Sequence, residues 1–159
     1  MDFPYHRSLA PMMGVFLALA FIELAVVHFL VALWRPWVAL LLSLFSLATI
    51  AWLIALIRSF KRLPVRIAGE TLIMRAGTLH RVDIPLSDIA GLRTAWNAAS
   101  LKQREVLNLA MIAYPNIVLD LRRPVRLGRR REIRAVAHRF DDPVAFARAI
   151  ARLESRDGH

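Results

Sequence analysis

The sequence predicts a membrane α + β protein: an N-terminal two-helix transmembrane hairpin, then a small antiparallel β unit closed by a C-terminal helix. Three observations carry this. Two long apolar segments fill the front of the chain, the apolar runs behind them shorten and alternate, and helical spacing returns near the end.

Charge divides along the same line. The 159 residues are 57% hydrophobic yet carry a formal charge of +10, with a pI near 11.5 and a mean hydropathy of +0.46. Residues 1–57 hold Arg7 and Arg35 against Asp2 and Glu23, which cancel, so the whole +10 lies on residues 58–159. That division excludes a uniformly soluble globule, a disordered tail and a wholly embedded channel. The absence of cysteine excludes a disulfide scaffold, a cysteine zinc site and a cysteine nucleophile. It also fits a reducing compartment.

Met12 to Leu33 is interrupted only by Glu23 and His28, and Trp37 to Ile57 carries no charge. A hydrocarbon core of ~30 Å takes about 20 helical residues, so each segment is long enough to span once. Two core helices greasy on every face would need more apolar surface than the rest of the chain offers. Between the spans lie Trp34, Arg35, Pro36 and Trp37. Pro36 stops the first helix, and the tryptophans sit where interfacial aromatics belong. Arg58, Lys61, Arg62 and Arg66 follow the second span against a lone Arg35 in the turn. The positive-inside bias therefore predicts a cytoplasmic basic end and, with two spans, a cytoplasmic N-terminus. Ala18-Leu19-Ala20 resembles a cleavage site, but the apolar run continues to Leu33 behind a weakly basic start, which argues for retention.

Glu23 falls near the bilayer centre, at the depth of Ala48 and Thr49 on the second helix, and His28 at the depth of Ser43. An ionised carboxylate there costs several kcal/mol, so Glu23 needs a partner. Ser43, Ser46 and Thr49 offer hydroxyls across the hairpin or to a second copy. At i, i+5 Glu23 and His28 point about 140° apart, which favours adhesion over a relay. An intramembrane enzyme using this pair is the weaker alternative, beside a structural subunit that oligomerises through the hairpin.

The predicted division is a hairpin over residues 1–62, a cytoplasmic domain over 63–154 and a tail over 155–159. Val65–Ile67 and Thr71–Arg75 flank a glycine turn at Ala68-Gly69-Glu70, and Gly77 turns the chain into Leu79–Leu86. There Val82, Ile84 and Leu86 share an inward face, which His80 joins by parity. Ile89–Thr94 pairs next, residues 95–102 read as a loop, and Glu105–Ala113 reads as a strand from the alternation of Leu107, Leu109 and Met111, with a helix as the alternative. Ile117, Leu119 and Leu121 point inward, Pro124–Leu127 is a short extended piece, and Ile133–Phe140 is the last strand. Asp142 suits an N-cap and Pro143 the first helical position, with Phe146, Ile150 and Leu153 as the buried face and Arg148 and Arg152 opposite.

Gly69-Glu70-Thr71, Gly77, Ile84-Pro85-Leu86-Ser87-Asp88-Ile89 and Asp141-Asp142-Pro143-Val144-Ala145-Phe146 are the residues on which the chain resembles the bacterial pleckstrin-homology-like (PH-like) domain. It does so in the arrangement where two transmembrane helices precede that domain. The likeness covers roughly Leu63 to Leu153. It implies a bent antiparallel barrel capped by a helix, serving as a binding or assembly module without catalytic residues, at the cytoplasmic face of a bacterial inner membrane. It brings no ligand motif that transfers position by position, and no cofactor.

The candidate contact residues are Arg122, Arg123, Arg126, Arg129, Arg130, Arg131 and Arg134, seven arginines with one acid, Glu132, among them. Guanidinium forks bind phosphate bidentately. Near an anionic leaflet each cation is worth ~1 kcal/mol. The expected partners are thus anionic lipid headgroups or a protein, against the plainer reading of a solvated basic turn. Nucleic acid has little support, since only Tyr114 and Phe140 lie near these arginines. His80 with Asp83, and His138 with Asp141 and Asp142, read more simply as a barrel histidine and a helix cap than as metal ligands. No phosphate loop, nucleophile elbow or H-E-x-x-H is present.

Overall fold

The computed structural model describes residues 1–7, 9–128 and 131–157. Two helices form first: α1 (Ala10–Trp34) and α2 (Pro36–Arg62), each with a mean hydropathy of 2.5 over its most apolar window and each long and apolar enough to cross a membrane. They pack against each other as an antiparallel pair. Arg35, extended at φ −147° ahead of Pro36, is the single residue between them. Most of their side chains stay exposed, including Phe16, Phe29, Phe45 and Trp52.

Among the described residues eight strands follow the sequence order around these helices: β1 (Asp2–Phe3), β2 (Val65–Ala68), β3 (Thr71–Ala76), β4 (His80–Pro85), β5 (Ile89–Leu92), β6 (Val106–Asn108), β7 (Ile117–Leu127) and β8 (Arg131–His138). Among the described residues a short helix α3 (Ala98–Leu101), a 3-10 turn at Leu86–Asp88 and a longer helix α4 (Pro143–Asp157) complete the element order. The strands make two four-stranded sheets, β1-β2-β3-β4 and β5-β7-β8-β6. Neither sheet closes on itself, so the expected barrel is replaced by two open sheets packed around a common core.

Both glycine turns are in place, with Gly69 at φ +57° and Gly77 at φ +54°, a region that side chains disfavour. β3 and β4 alternate as predicted, burying Leu72, Met74, Val82 and Ile84. His80 does not join them. It opens β4 beside the Gly77 turn and is exposed, because parity buries a residue only where a second layer lies over it.

The region around Glu105–Ala113 is also revised. Only Val106–Asn108 is a strand, and it runs parallel to β8 rather than antiparallel. Asn108 then accepts from the Ala110 N–H at 2.9 Å and Met111 turns to φ +55°, which ends the extended run. Residues 95–102 are not all loop: Asn97 caps α3, accepting from the Ser100 N–H at 2.8 Å. Leu101 and Trp96 thereby cover a second small core with Val106, Val118, Ala135 and Ala137. This explains why Val118 is buried although its neighbours Ile117 and Leu119 face the main core. Pro124–Leu127 is continuous with β7 across an irregularity between Asp120 and Val125. At the last helix, the Asp142 carboxylate accepts from the Ala145 N–H at 2.9 Å and Phe146 and Ile150 are buried.

Candidate functional site

The chain's first residues decide how the helices meet the sheets. β1 pairs with β2, Phe3 opposite Val65. The Asp141 N–H bonds to the Pro4 carbonyl at 3.0 Å, and the Arg7 N–H returns to the Asp141 carboxylate at 3.1 Å. Between these ties Tyr5 is buried. Its hydroxyl accepts from the Gly77 N–H at 2.7 Å and donates to the Leu63 carbonyl at 3.0 Å. Burial pushes the phenol above its ordinary value, while the Gly77 bond opposes that rise.

α2 meets the same point from the other side. Ser59 donates to the Leu56 carbonyl at 2.7 Å and accepts from the Thr78 N–H at 3.2 Å. A Cβ at position 77 would lie 2.5 Å from Ser59 Oγ and 2.8 Å from the Phe60 ring. The Gly77 turn is therefore pressed onto the base of α2. Aromatic contacts continue inward: Phe60 meets Tyr5 edge-on, Tyr5 meets His138 with ring centroids 4.8 Å apart, and His138 stacks on Phe140, which stacks on Phe146 of α4.

His138 is 1% exposed. Its Nε2 lies 2.8 Å from the Arg75 carbonyl, and its Nδ1 accepts from the Arg139 N–H at 2.8 Å. One nitrogen donating and one accepting is what a neutral imidazole offers. Burial holds its pKa below the ordinary value, with the Arg75 and Arg139 carbonyls beside its ring nitrogens acting the other way. The imidazole is thus a satisfied bridge between β8 and β3, not a ligand waiting for a metal.

The basic residues separate into two groups. On the last turns of α2, Leu56, Ser59 and Phe60 turn inward while Arg58, Lys61 and Arg62 are exposed. Spacings of three and four put these cations on one side of the helix. Arg66 is half-exposed, 3.6 Å from Asp2.

The arginine-rich stretch is elsewhere. Ile117 pairs with His138 next to the joint, and β7 then runs away from it. Arg122 has reached the Gly69 turn, the opposite end of β2 and β3, where it lines a cleft of about 540 Å³ with Glu70, Pro85, Leu86, Ser87 and Leu153. At ~3.3 Å per residue, Leu127 lies up to ~33 Å along the strand from Ile117. Arg122, Arg123 and Arg126 are exposed there, Arg123 at 84% beside Asp88 and Arg126 at 82% beside Glu132.

Not all seven arginines are available. Arg131 reaches across to β6, donating to the carbonyls of Arg104 at 3.1 Å and Val106 at 2.8 Å. Arg134 is exposed 3.6 Å from Glu105, in the same kind of surface pair that Arg123 and Arg126 make. Arg129 and Arg130 lie outside the described residues.

Comparison with protein-family models, with curated proteins and with solved structures finds no match to this chain.

The polar groups of the helices also separate. His28 Nδ1 is hydrogen-bonded to Ser43 Oγ across the hairpin. Thr49 instead donates to the Phe45 carbonyl of its own helix at 3.0 Å, so its hydroxyl is engaged locally. Ser46 is half-buried. Glu23 is exposed, and among the described residues it has neither hydrogen bond nor ion pair. The two ionisable groups of α1 do not meet.

The residues that sequence reading overlooks are Tyr5, Ser59, Gly77 and His138 as one unit. The signal available was a tyrosine isolated before an apolar span and a histidine between alternating apolar residues. Neither names its partner.

Proposed function

We propose that this chain is a non-enzymatic integral protein of the bacterial inner membrane, with both termini cytoplasmic, that holds a PH-like binding module against the cytoplasmic leaflet. α1 and α2 span the bilayer. Arg58, Lys61 and Arg62 contact anionic headgroups, and the arginine ribbon of Arg122, Arg123 and Arg126 is presented to an acidic surface of a protein partner. PH-like here means the two-sheet core with its closing helix, without a closed barrel.

One observation carries the reading. The base of α2 is amphipathic, burying Leu56, Ser59 and Phe60 in the joint while its exposed side holds three cations. Cations at that level stand where an anionic leaflet begins, and each is worth ~1 kcal/mol there. The ribbon leaves from the far end of the sheets, beyond a Debye length of ~8 Å from that level. Tyr114 is the exposed aromatic nearest in sequence, too little for base stacking.

Native mass spectrometry of the intact protein in mild detergent, with phosphatidylglycerol or phosphatidylcholine added, tests the assignment. Retention of phosphatidylglycerol is expected to fall when Arg58, Lys61 and Arg62 all become serine, and to persist when Arg122, Arg123 and Arg126 do. The reverse pattern would put the headgroups on the ribbon and overturn the assignment.

A further inference from the structure

The exposed carboxyl of Glu23 has no partner within the hairpin among the described residues. At 100° per residue, Met12, Phe16, Leu19, Glu23, Val26 and Leu30 follow one another at alternating steps of four and three and form a single stripe along α1. The apolar members are between 45% and 59% exposed. α2 packs on a different side of α1, where Met13 is buried and Leu17 and Leu24 are half-buried. His28 lies toward that side, which is how it reaches Ser43.

A carboxyl placed mid-span in hydrocarbon and left unpartnered by its own chain calls for a partner from outside it. A carboxylic acid in its neutral form carries a donor and an acceptor, so it is complementary to a second copy of itself. Copies inserted with the same topology are parallel, and a two-fold axis along the membrane normal sets each position of α1 opposite its own counterpart. Glu23 then meets Glu23 of the second copy without any other residue being needed. A polar residue on an otherwise apolar stripe also fixes register and copy number, as a lone asparagine does in coiled coils.

We propose that two copies of this chain associate in the bilayer through the Met12–Leu30 stripe of α1, joined at its centre by reciprocal hydrogen bonds between their Glu23 carboxyls. His28 and Ser43 belong to the hairpin's own seam and take no part. The proposal rests on the membrane placement above, and not on what the β sheets bind.

The chain has no cysteine, so single substitutions report on one face at a time. In phosphatidylcholine–phosphatidylglycerol vesicles at high lipid dilution, Leu19→Cys and Val26→Cys are expected to form disulfide-linked dimers. Phe21→Cys and Phe29→Cys, equally open to lipid but off the stripe, are expected to stay monomeric. Energy transfer between labelled copies is expected to show association about tenfold weaker for Glu23→Leu. Glu23→Gln, whose amide keeps a donor and an acceptor, is expected to stay within about twofold of the native chain. Cross-linking indifferent to face, or full association of Glu23→Leu, would overturn the pairing while leaving membrane placement intact. Release of the intact protein by alkaline carbonate would overturn the placement and the pairing together.

Discussion

The Tyr5 hydroxyl accepts from the Gly77 N–H at 2.7 Å across 72 residues of sequence. It binds the segment ahead of α1 to the turn that sits on the base of α2. Tyr5→Phe keeps the ring contacts with Phe60 and His138 but leaves a buried N–H and the Leu63 carbonyl without this partner. The loss is expected to be about 1–3 kcal/mol, read as a lower thermal midpoint of the intact protein in detergent. An unchanged midpoint would show that the hydroxyl does not tie the joint.

Gly77 and Gly69 separate two effects that glycine substitutions usually mix. Both have positive φ, but at Gly69 a Cβ meets nothing within 4 Å, whereas at Gly77 it strikes Ser59 Oγ and Phe60. Gly69→Ala is expected to cost about 1 kcal/mol, the conformational part alone. Gly77→Ala adds overpacking and is expected to cost about 2–4 kcal/mol. Denaturation of the two variants side by side checks the order.

His138 makes stability depend on pH with a definite sign. Its folded pKa lies below the ordinary 6.5, so between the two values the unfolded chain binds the extra proton. The contribution is complete above about pH 6.5 and is lost as the pH falls toward the folded value. His138→Phe removes it, so the difference in thermal midpoint between native and variant is expected to shrink as the pH drops from about 7.5 to about 5. A difference that grew on acidification would contradict the neutral bridge between Arg75 and Arg139.

Two arginines of the same arginine-rich stretch are expected to behave oppositely. Arg131→Ala strips two carbonyl partners on the β6 side and is expected to destabilise by about 1–2 kcal/mol. Arg126→Ala gives up only an exposed pair with Glu132 and is expected to change stability by less than ~0.5 kcal/mol. Thermal melts of the two single variants distinguish the backbone-anchored cation from the exposed, surface-paired one.

The helices, the glycine turns and the β2–β4 meander were legible because each follows a local period: continuous apolarity, a positive-φ residue, or strict alternation. Asp142 and Pro143 likewise announce α4 within four residues. What escaped is non-local. β1 is two residues long and has no period of its own, taking its structure from Val65 and Arg66. β6 runs parallel because α3 and the turn at Gln103 return the chain in the direction of β8, which three residues cannot reveal. His80 and His138 look alike in sequence, each beside alternating apolar residues. One is exposed and the other enclosed by Tyr5 and Phe140 from distant segments. The arginine stretch reads as one patch, yet strand direction sends its cations to the far end and fastens Arg131 to a neighbouring backbone.

The pairing of Asp2 and Phe3 with β2 bears on processing. A peptidase acting after Ala20 would remove more than a hydrophobic leader. It would take the outermost strand of one sheet, the ring that encloses His138 and the amide that Asp141 holds. A shortened product would lose the edge-on contacts that Phe3 makes with Phe140 and Phe146 and that Tyr5 makes with His138.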